Sequence, residues 1–436
     1  MQENLNEIMQ AAQGLAEFID RSPTPYHAVS ETERILTEKG AKKLSFTEMS
    51  DVKENTLYYV IHGNALCAFS VNKKTLKNGF AIAAAHTDSP CFKIKPCGSK
   101  IDSGYERISV ETYGGMILHT WLDRPLALAG RVYAEVNGKE KAIDIDTKKP
   151  CMIIPSAAIH MVRDINENAK FTVQNELSPV LTQGKEKSFT KFIATLCGIK
   201  EQEILSFDLM PYEAQPACFT GTDDEFLSAG RLDDLAMVYS IFDSIPTSEE
   251  LNETSGCFAA FAFDNEECGS KTASGAESKF ATAVLERVCE CMGLTHGESR
   301  AALANSVIFS ADMAHAVHPA YPGKSDPDMQ IRMNDGVVLK TSANQSYSST
   351  PKGAAYFKRL CKKAEVPCQE FANHSDMRSG HTIGPVLAAE FSALSIDMGA
   401  AMLSMHSVRE LCGSRDIFYM KKLFGKFFIA SNDIKL

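Results

Sequence analysis

The 436-residue chain carries 45 lysine and arginine residues against 55 acidic ones, a formal net charge of −10. It lacks the basic surplus with which proteins hold nucleic acid or anionic lipid, so neither is expected as a main partner. It lacks any apolar run near the roughly 18–20 residues of a membrane span. Its first residues, Met1-Gln-Glu-Asn-Leu-Asn-Glu, are acidic where a secretory leader is basic. The thirteen cysteines include no Cys-x-x-Cys pair and are scattered through segments such as Ala65-Leu-Cys67-Ala-Phe. That usage argues against a thiolate zinc site and fits buried free thiols in a reducing cytoplasm. Internal repeats and low-complexity stretches are also missing. What remains is a chain with 44% apolar and 23% charged residues, ordinary for a large-cored globular protein of two or three domains.

Residues 4–20 have helical periodicity. Arg21-Ser-Pro-Thr-Pro-Tyr-His then forms a turn that launches a second helix, with Thr24 or Ser22 as N-cap and a proline near its first position. Residues 57–62 and 65–72 read as a hairpin, and 80–86 as a short buried strand. From about 93 to 215 the chain changes character: short alternating segments such as Ile108-Ser-Val-Glu-Thr-Tyr are separated by Gly-Gly, Asn-Gly and Pro turns, with one helix near 188–196. Beyond about 225, helices are expected near 232–245, 275–292, 352–364 and 415–431, and buried strands near 257–263, 305–311 and 392–397. The expectation is an α/β fold, a central sheet flanked by helices built from 1–92 and 216–436, interrupted by a β-rich insertion at 93–215. The stretch Met210-Pro-Tyr-Glu-Ala-Gln-Pro is the expected return linker.

Chemistry concentrates at the ends of apolar runs. The run Cys257-Phe-Ala-Ala-Phe-Ala-Phe ends in Asp264-Asn-Glu266-Glu267. Adjacent carboxylates repel, and a metal ion is the usual offset: one carboxylate binds it while the next serves as a base toward water. Four more segments share the pattern: Ala83-Ala-Ala-His86-Thr-Asp88, Gly230-Arg-Leu-Asp233-Asp, Phe309-Ser-Ala-Asp312-Met-Ala-His315 and Leu403-Ser-Met-His406-Ser. Ligands of α/β sheets gather at the carboxyl ends of strands, so these side chains can converge. His86, Asp233, Glu267, Asp312 and His406 supply two imidazoles and three carboxylates. If one carboxylate is shared, that is enough for two ions ~3.5–4 Å apart, the arrangement of a two-metal hydrolase. Nitrogen and oxygen donors without sulfur suit Zn2+, with Mn2+ or Co2+ as alternatives. Asp88 stands where it can fix the His86 ring.

Taken together, these motifs resemble the aspartyl aminopeptidase family of co-catalytic zinc metallopeptidases. Further matches are Ser22-Pro-Thr-Pro-Tyr-His-Ala, Ile154-Pro-Ser-Ala-Ala-Ile-His160, Thr382-Ile-Gly-Pro385 and Met405-His-Ser-Val-Arg-Glu410, spread over nearly the whole chain. The resemblance implies a zinc-exopeptidase-like central mixed sheet with an inserted dimerisation or lid domain. It makes Asp233 the bridging carboxylate, with His86 and Asp312 completing one ion, Glu267 and His406 the other, and Glu266 the general base. It implies removal of N-terminal residues from peptides, Asp or Glu preferred, in a cytoplasmic homo-oligomer, a dodecamer built from dimers. His160 would act in a neighbouring subunit, and His315 and His318 would lie near the substrate. Lys340 would meet an acidic side chain, with Tyr347 lining the same pocket.

The chain departs from the family at three places. Asp234 follows Asp233 where Asn is usual, and His381 and His374 stand where the family usually has Ser and Arg. The last two put a strict acidic preference in doubt, with an aminopeptidase of broader or neutral specificity as the alternative. A non-catalytic assembly protein is the remote one.

Overall fold

A computed structural model describes residues 5–184, 186–252 and 256–430. Its central element is a nine-stranded mixed sheet. Four neighbouring strands at its heart, Phe258–Phe263, Ala81–His86, Val307–Ala311 and Leu394–Gly399, run parallel. Their carboxyl ends therefore open onto one edge. The hairpin Tyr58–His62 and Ala65–Ser70 lies antiparallel on one side, and Val337–Lys340 pairs antiparallel with Leu394–Gly399 on the other.

Side-chain alternation explains why these strands look apolar throughout. In Phe258–Phe263, Phe258, Ala260 and Ala262 pack into one core together with Leu15, Ile35, Leu235, Phe357 and Phe424. Ala259, Phe261 and Phe263 pack into a second core with Phe280, Leu303 and Leu387. A strand buried on both faces loses its polar alternation, as parallel sheets require. Truncating Phe261 or Phe309, both fully buried, to Ala costs about 3–5 kcal/mol.

The expected helices are present as Leu5–Asp20, Pro25–Glu38, Leu232–Asp243, Phe280–Cys291, Pro351–Ala364 and Ser414–Ala430. Pro25 opens its helix after Thr24, whose hydroxyl lies 2.8 Å from His27 Nδ1 instead of capping the backbone. Helices His296–Ala304 and Gly384–Phe391 escaped the sequence reading. The first is short and weakly amphipathic; the second is apolar on most sides.

A second sheet of seven antiparallel strands runs from Cys91–Asp102 to Ile204–Glu213, with the helix Phe189–Cys197 beside it. Its last strand extends through Met210-Pro-Tyr-Glu213, so the expected linker is sheet up to Glu213. Pro211 is tolerated because this is an edge strand, paired among the described residues only with Pro125–Val136. A third sheet, Cys218–Thr220, Phe226–Ala229, Glu410–Gly413, Ala401–Leu403 and Ala314–His315, was not foreseen; its strands are too short to show a pattern. All thirteen cysteines are free, but Cys97, Cys268 and Cys368 are exposed, not buried. No described helix is long and apolar enough to cross a membrane.

Candidate metal centre

The parallel edge brings the strand-end residues together. His86 closes its strand, opposite Phe263 in the register. Asp312 follows Val307–Ala311 directly. Asp233 sits in the first turn of Leu232–Asp243, after Arg231 in a left-handed conformation. Glu266 and Glu267 occupy one 3-10 turn, Glu266–Cys268, launched by Asn265 at φ 64°, a conformation Asn tolerates better than most residues. His406 lies in the loop between Ala401–Leu403 and Glu410–Gly413.

Three groups of donor atoms close to within 4.8 Å of one another: His86 with Asp233 and Asp312, Asp233 with Glu267 and His406, and His86 with Glu266 and Glu267. Asp233 joins the first two. Its Oδ1 is 3.4 Å from His86 Nε2, and its Oδ2 is 3.3 Å from His406 Nε2. His406 Nε2 is also 3.2 Å from Glu267 Oε1. The far nitrogens of both rings are held by backbone carbonyls. His86 Nδ1 lies 3.0 Å from the carbonyl of Asp88, with that residue's carboxylate at 3.3 Å, and His406 Nδ1 lies 2.9 Å from the Gly115 carbonyl. Each ring thereby turns its Nε2 toward Asp233.

The electrostatics suit cations. Burial raises the carboxyls here. Together with Asp312 and Glu267 it outweighs the pull of His86 and pushes Glu266 up to about 8. Asp312, buried but beside Lys340, reaches about 6. Burial would lower His406, but Asp233 and Glu267 lift it to about 11. Burial likewise opposes Asp233, whose carboxyl the two imidazoles hold below the usual range. Asp233 Oδ1 is a buried oxygen without a hydrogen-bond partner, an uncompensated cost for protein alone. Two divalent ions fit this donor set: they would take the unpartnered oxygen and offset the crowded carboxylates. The nitrogen–oxygen chemistry is right for zinc.

The remaining site residues are distributed unevenly. A cavity of about 900 Å³ opens onto the centre, lined by His86, Asp233, Glu266, Glu267, Asp312 and His406 and also by His315, Lys340, Tyr347 and His381. Burial and the charge of Lys340 keep the His315 imidazole below its ordinary pKa. Lys340 is only 2% exposed. Its ammonium donates to the Met313 carbonyl at 2.7 Å and pairs with Asp312 at 3.2 Å. His318 is not among the cavity-lining residues; its ring lies against Tyr321, and its Nδ1 accepts from Ala320 N. His160 sits on an exposed loop of the inserted segment, away from this cavity's lining. His374 lines a neighbouring cavity of about 570 Å³.

Two buried carboxylates escaped the sequence reading as site residues. Glu410 accepts the backbone N–H of Asp233 at 3.1 Å and of His406 at 2.7 Å, tying two donor-bearing segments together. Burial and the Asp233 charge raise it to about 8. Asp397 accepts from Ser348 N, Ser348 Oγ and Thr382 Oγ1, which joins two loops of the cavity wall. An acid inside the apolar run Leu394-Ser-Ile-Asp-Met was the available signal for Asp397; a carboxylate four residues after His406 was the signal for Glu410.

The profile of the family described as Aminopeptidase I zinc metalloprotease (M18) matches residues 18–428. The chain belongs to the M18 family. It is a metal-dependent aminopeptidase. A probable M18 family aminopeptidase 2 of Clostridium novyi is 39% identical over 429 residues, 96% of this chain and 98% of that protein. A second, from Clostridium acetobutylicum, is 38% identical over 435 residues, 97% and 99% of the two chains. Among solved structures, a chain in the cryo-EM structure of the Ape4 and Nbr1 complex superposes with TM-score 0.95 at 34% identity, covering 100% of this chain and 89% of that one. The S. cerevisiae mApe1 dodecamer gives TM-score 0.82 at 28% identity, with 98% and 97% covered.

Proposed function

We propose that this M18 enzyme removes N-terminal residues of broad character from peptides, with Asp233 bridging two ions, most simply Zn2+. The observation that carries the two-ion reading is Asp233, one carboxylate oxygen at each of two histidines. His86 and Asp312 would hold one ion, and Glu267 and His406 the other. When bound, such ions polarise the scissile carbonyl and lower the pKa of water. The protein's own groups do the rest. Glu266 shares the cavity and, as the carboxylate it becomes beside bound cations, would take a proton from the attacking water and return it to the leaving amine. His315, neutral near physiological pH, faces the cavity as a donor toward the developing oxyanion.

Broad specificity draws its support from Lys340. Its ammonium is already engaged by Asp312 and Met313 O. Much of the rest of the cavity lining is neutral, with Asn344, Gln345, Ser346, Thr382 and Phe371, although Lys271 and Glu277 line it too. The acidic preference has one observation in its favour, that Lys340 and Tyr347 both line the cavity, with the ammonium 5.4 Å from the ring centroid. A panel of peptides with N-terminal Asp, Glu, Leu and Lys, run on zinc-reconstituted enzyme, decides between them. Values of kcat/KM for Asp and Leu within about tenfold support broad acceptance. An acidic advantage of about 100-fold that Lys340→Ala abolishes would establish the acidic preference instead.

Assembly enters the same proposal. The mApe1 relative is a dodecamer, and beside His160 the residues Ile159, Met161 and Val162 are 47%, 80% and 39% exposed, an apolar patch suited to another copy. In a homo-oligomer built from dimers, His160 would serve a neighbour's cavity. Full activity from a proven monomer would refute that role.

A further inference from the structure

Three consecutive residues at the end of an inserted strand reach the metal centre within the same chain. Tyr113 is the last residue of Tyr105–Tyr113. Its hydroxyl donates to Asp88 Oδ2 at 2.6 Å and accepts from the Asn265 side-chain amide at 2.9 Å. Asp88, 1% exposed, accepts the backbone N–H groups of Glu266 and Glu267, each at 3.1 Å. Lys93 holds the Tyr113 ring, its ammonium 4.9 Å from the centroid. Two residues on, the Gly115 carbonyl meets His406 Nδ1. Between them Gly114, at φ +69°, passes so close that a Cβ there would stand 3.1 Å from Glu267 Cβ.

The order of these contacts matters. Asp88 is expected from the sequence to steady His86; its carboxylate lies 3.3 Å from that ring and in addition accepts both amides of the glutamate turn and the Tyr113 hydroxyl. That turn is a single 3-10 turn after a left-handed residue, so its direction depends on what grips its amides. Asp88 grips them, and Tyr113 grips Asp88. Removing the phenol oxygen strips one donor from a buried carboxylate and one acceptor from Asn265. The aim of the Glu266 and Glu267 side chains then loosens, while the ring can stay in place.

We propose that Tyr113 is a positioning residue: through Asp88 it holds the Glu266–Glu267 turn, while the Gly115 carbonyl sets the His406 ring, so the inserted sheet serves the metal centre of its own subunit. This rests on the two-ion reading above and adds an intrachain role to the insertion. The test is Tyr113→Phe in the full, zinc-reconstituted enzyme, which keeps the ring. The expected loss is about 10–100-fold in kcat, with about a tenfold loss in the weaker zinc affinity read by chelator competition. KM should stay within about threefold. In a Glu266→Gln background the same substitution should change kcat by less than about threefold, because the group it positions is gone. Unchanged kcat and zinc affinity overturn the proposal. An equal loss in both backgrounds, with a lowered melting temperature, overturns it too, by showing a merely structural tyrosine. Zinc binding and turnover of the unsubstituted enzyme are measured alongside; if those fail, it is the two-ion reading that falls.

Discussion

The metal centre and the cavity wall facing it are built in opposite ways. His86, Asp312 and the Glu266–Glu267 turn leave the ends of adjacent parallel strands, so sheet register places them. Glu410 and Asp88 then hold the intervening segments by their backbone amides. The wall at Asn344–Tyr347 and Gly380–Pro385 has no such frame. Its segments come from loops and from the start of Gly384–Phe391, joined by one buried carboxylate, Asp397. The donor-bearing segments therefore rest on the sheet, while this stretch of the facing wall rests on loops, which as a class vary more readily than the elements they connect.

Four perturbations break or sharpen that contrast. The largest effect belongs to Asp233→Ala. Removing the carboxylate shared by both histidines should abolish turnover and reduce the zinc bound per subunit, measured by elemental analysis on purified protein. Glu266→Gln comes next. It should cost about 10²–10⁴ in kcat yet leave zinc content intact; near-normal turnover would exclude Glu266 as the base. Asp397→Asn probes the opposite wall. It removes the charge from an acceptor that ties Ser348 and Thr382 to the strand Leu394–Gly399, hydrogen bonds to a charged group being worth about 1.5–3 kcal/mol. It should raise KM about tenfold and leave kcat within about threefold, with zinc content unchanged. If kcat and zinc content collapse as well, the two regions are not separable.

The smallest effect is a pH dependence of the metal-free protein. Glu266 and Glu410, both raised to about 8, and His406, raised to about 11, bind protons more tightly folded than unfolded. The stability they contribute is present at low pH. For the glutamates it is lost as pH rises from the ordinary carboxylate range through about 8. For His406 the loss begins near 6.5 and continues toward about 11. With chelator present, the melting temperature should therefore fall between about pH 6 and 8.5. Added Zn2+ should stabilise most at the upper end, because its ligands must be deprotonated. Thermal melts at several pH values, with and without zinc, check the sign.

Much of the metal centre was legible because His86, Glu267 and Asp312 each follow an apolar run that length and composition mark as a buried strand. The strands Ala81–His86, Phe258–Phe263 and Val307–Ala311 lie where the runs placed them. The small third sheet was not legible, since strands such as Ala314–His315 hold two residues and show no period. Nor was the engagement of Lys340, because an ammonium four residues along an apolar run gives no sign of whether it meets substrate or Asp312.

The sequence by itself determined which side chains stand at the strand ends and which residue types could hold cations there. Alternation and apolar run length report burial, and burial is a local property of the chain. Only the tertiary structure decided that Asp233 spans His86 and His406, that Asp88 holds the glutamate turn, and that Tyr113 reaches it from the inserted sheet. Those contacts join residues as many as 179 positions apart, as between Asp88 and Glu267. No periodicity encodes such a partner, because it is selected by which strands become neighbours once both faces of the sheet are covered.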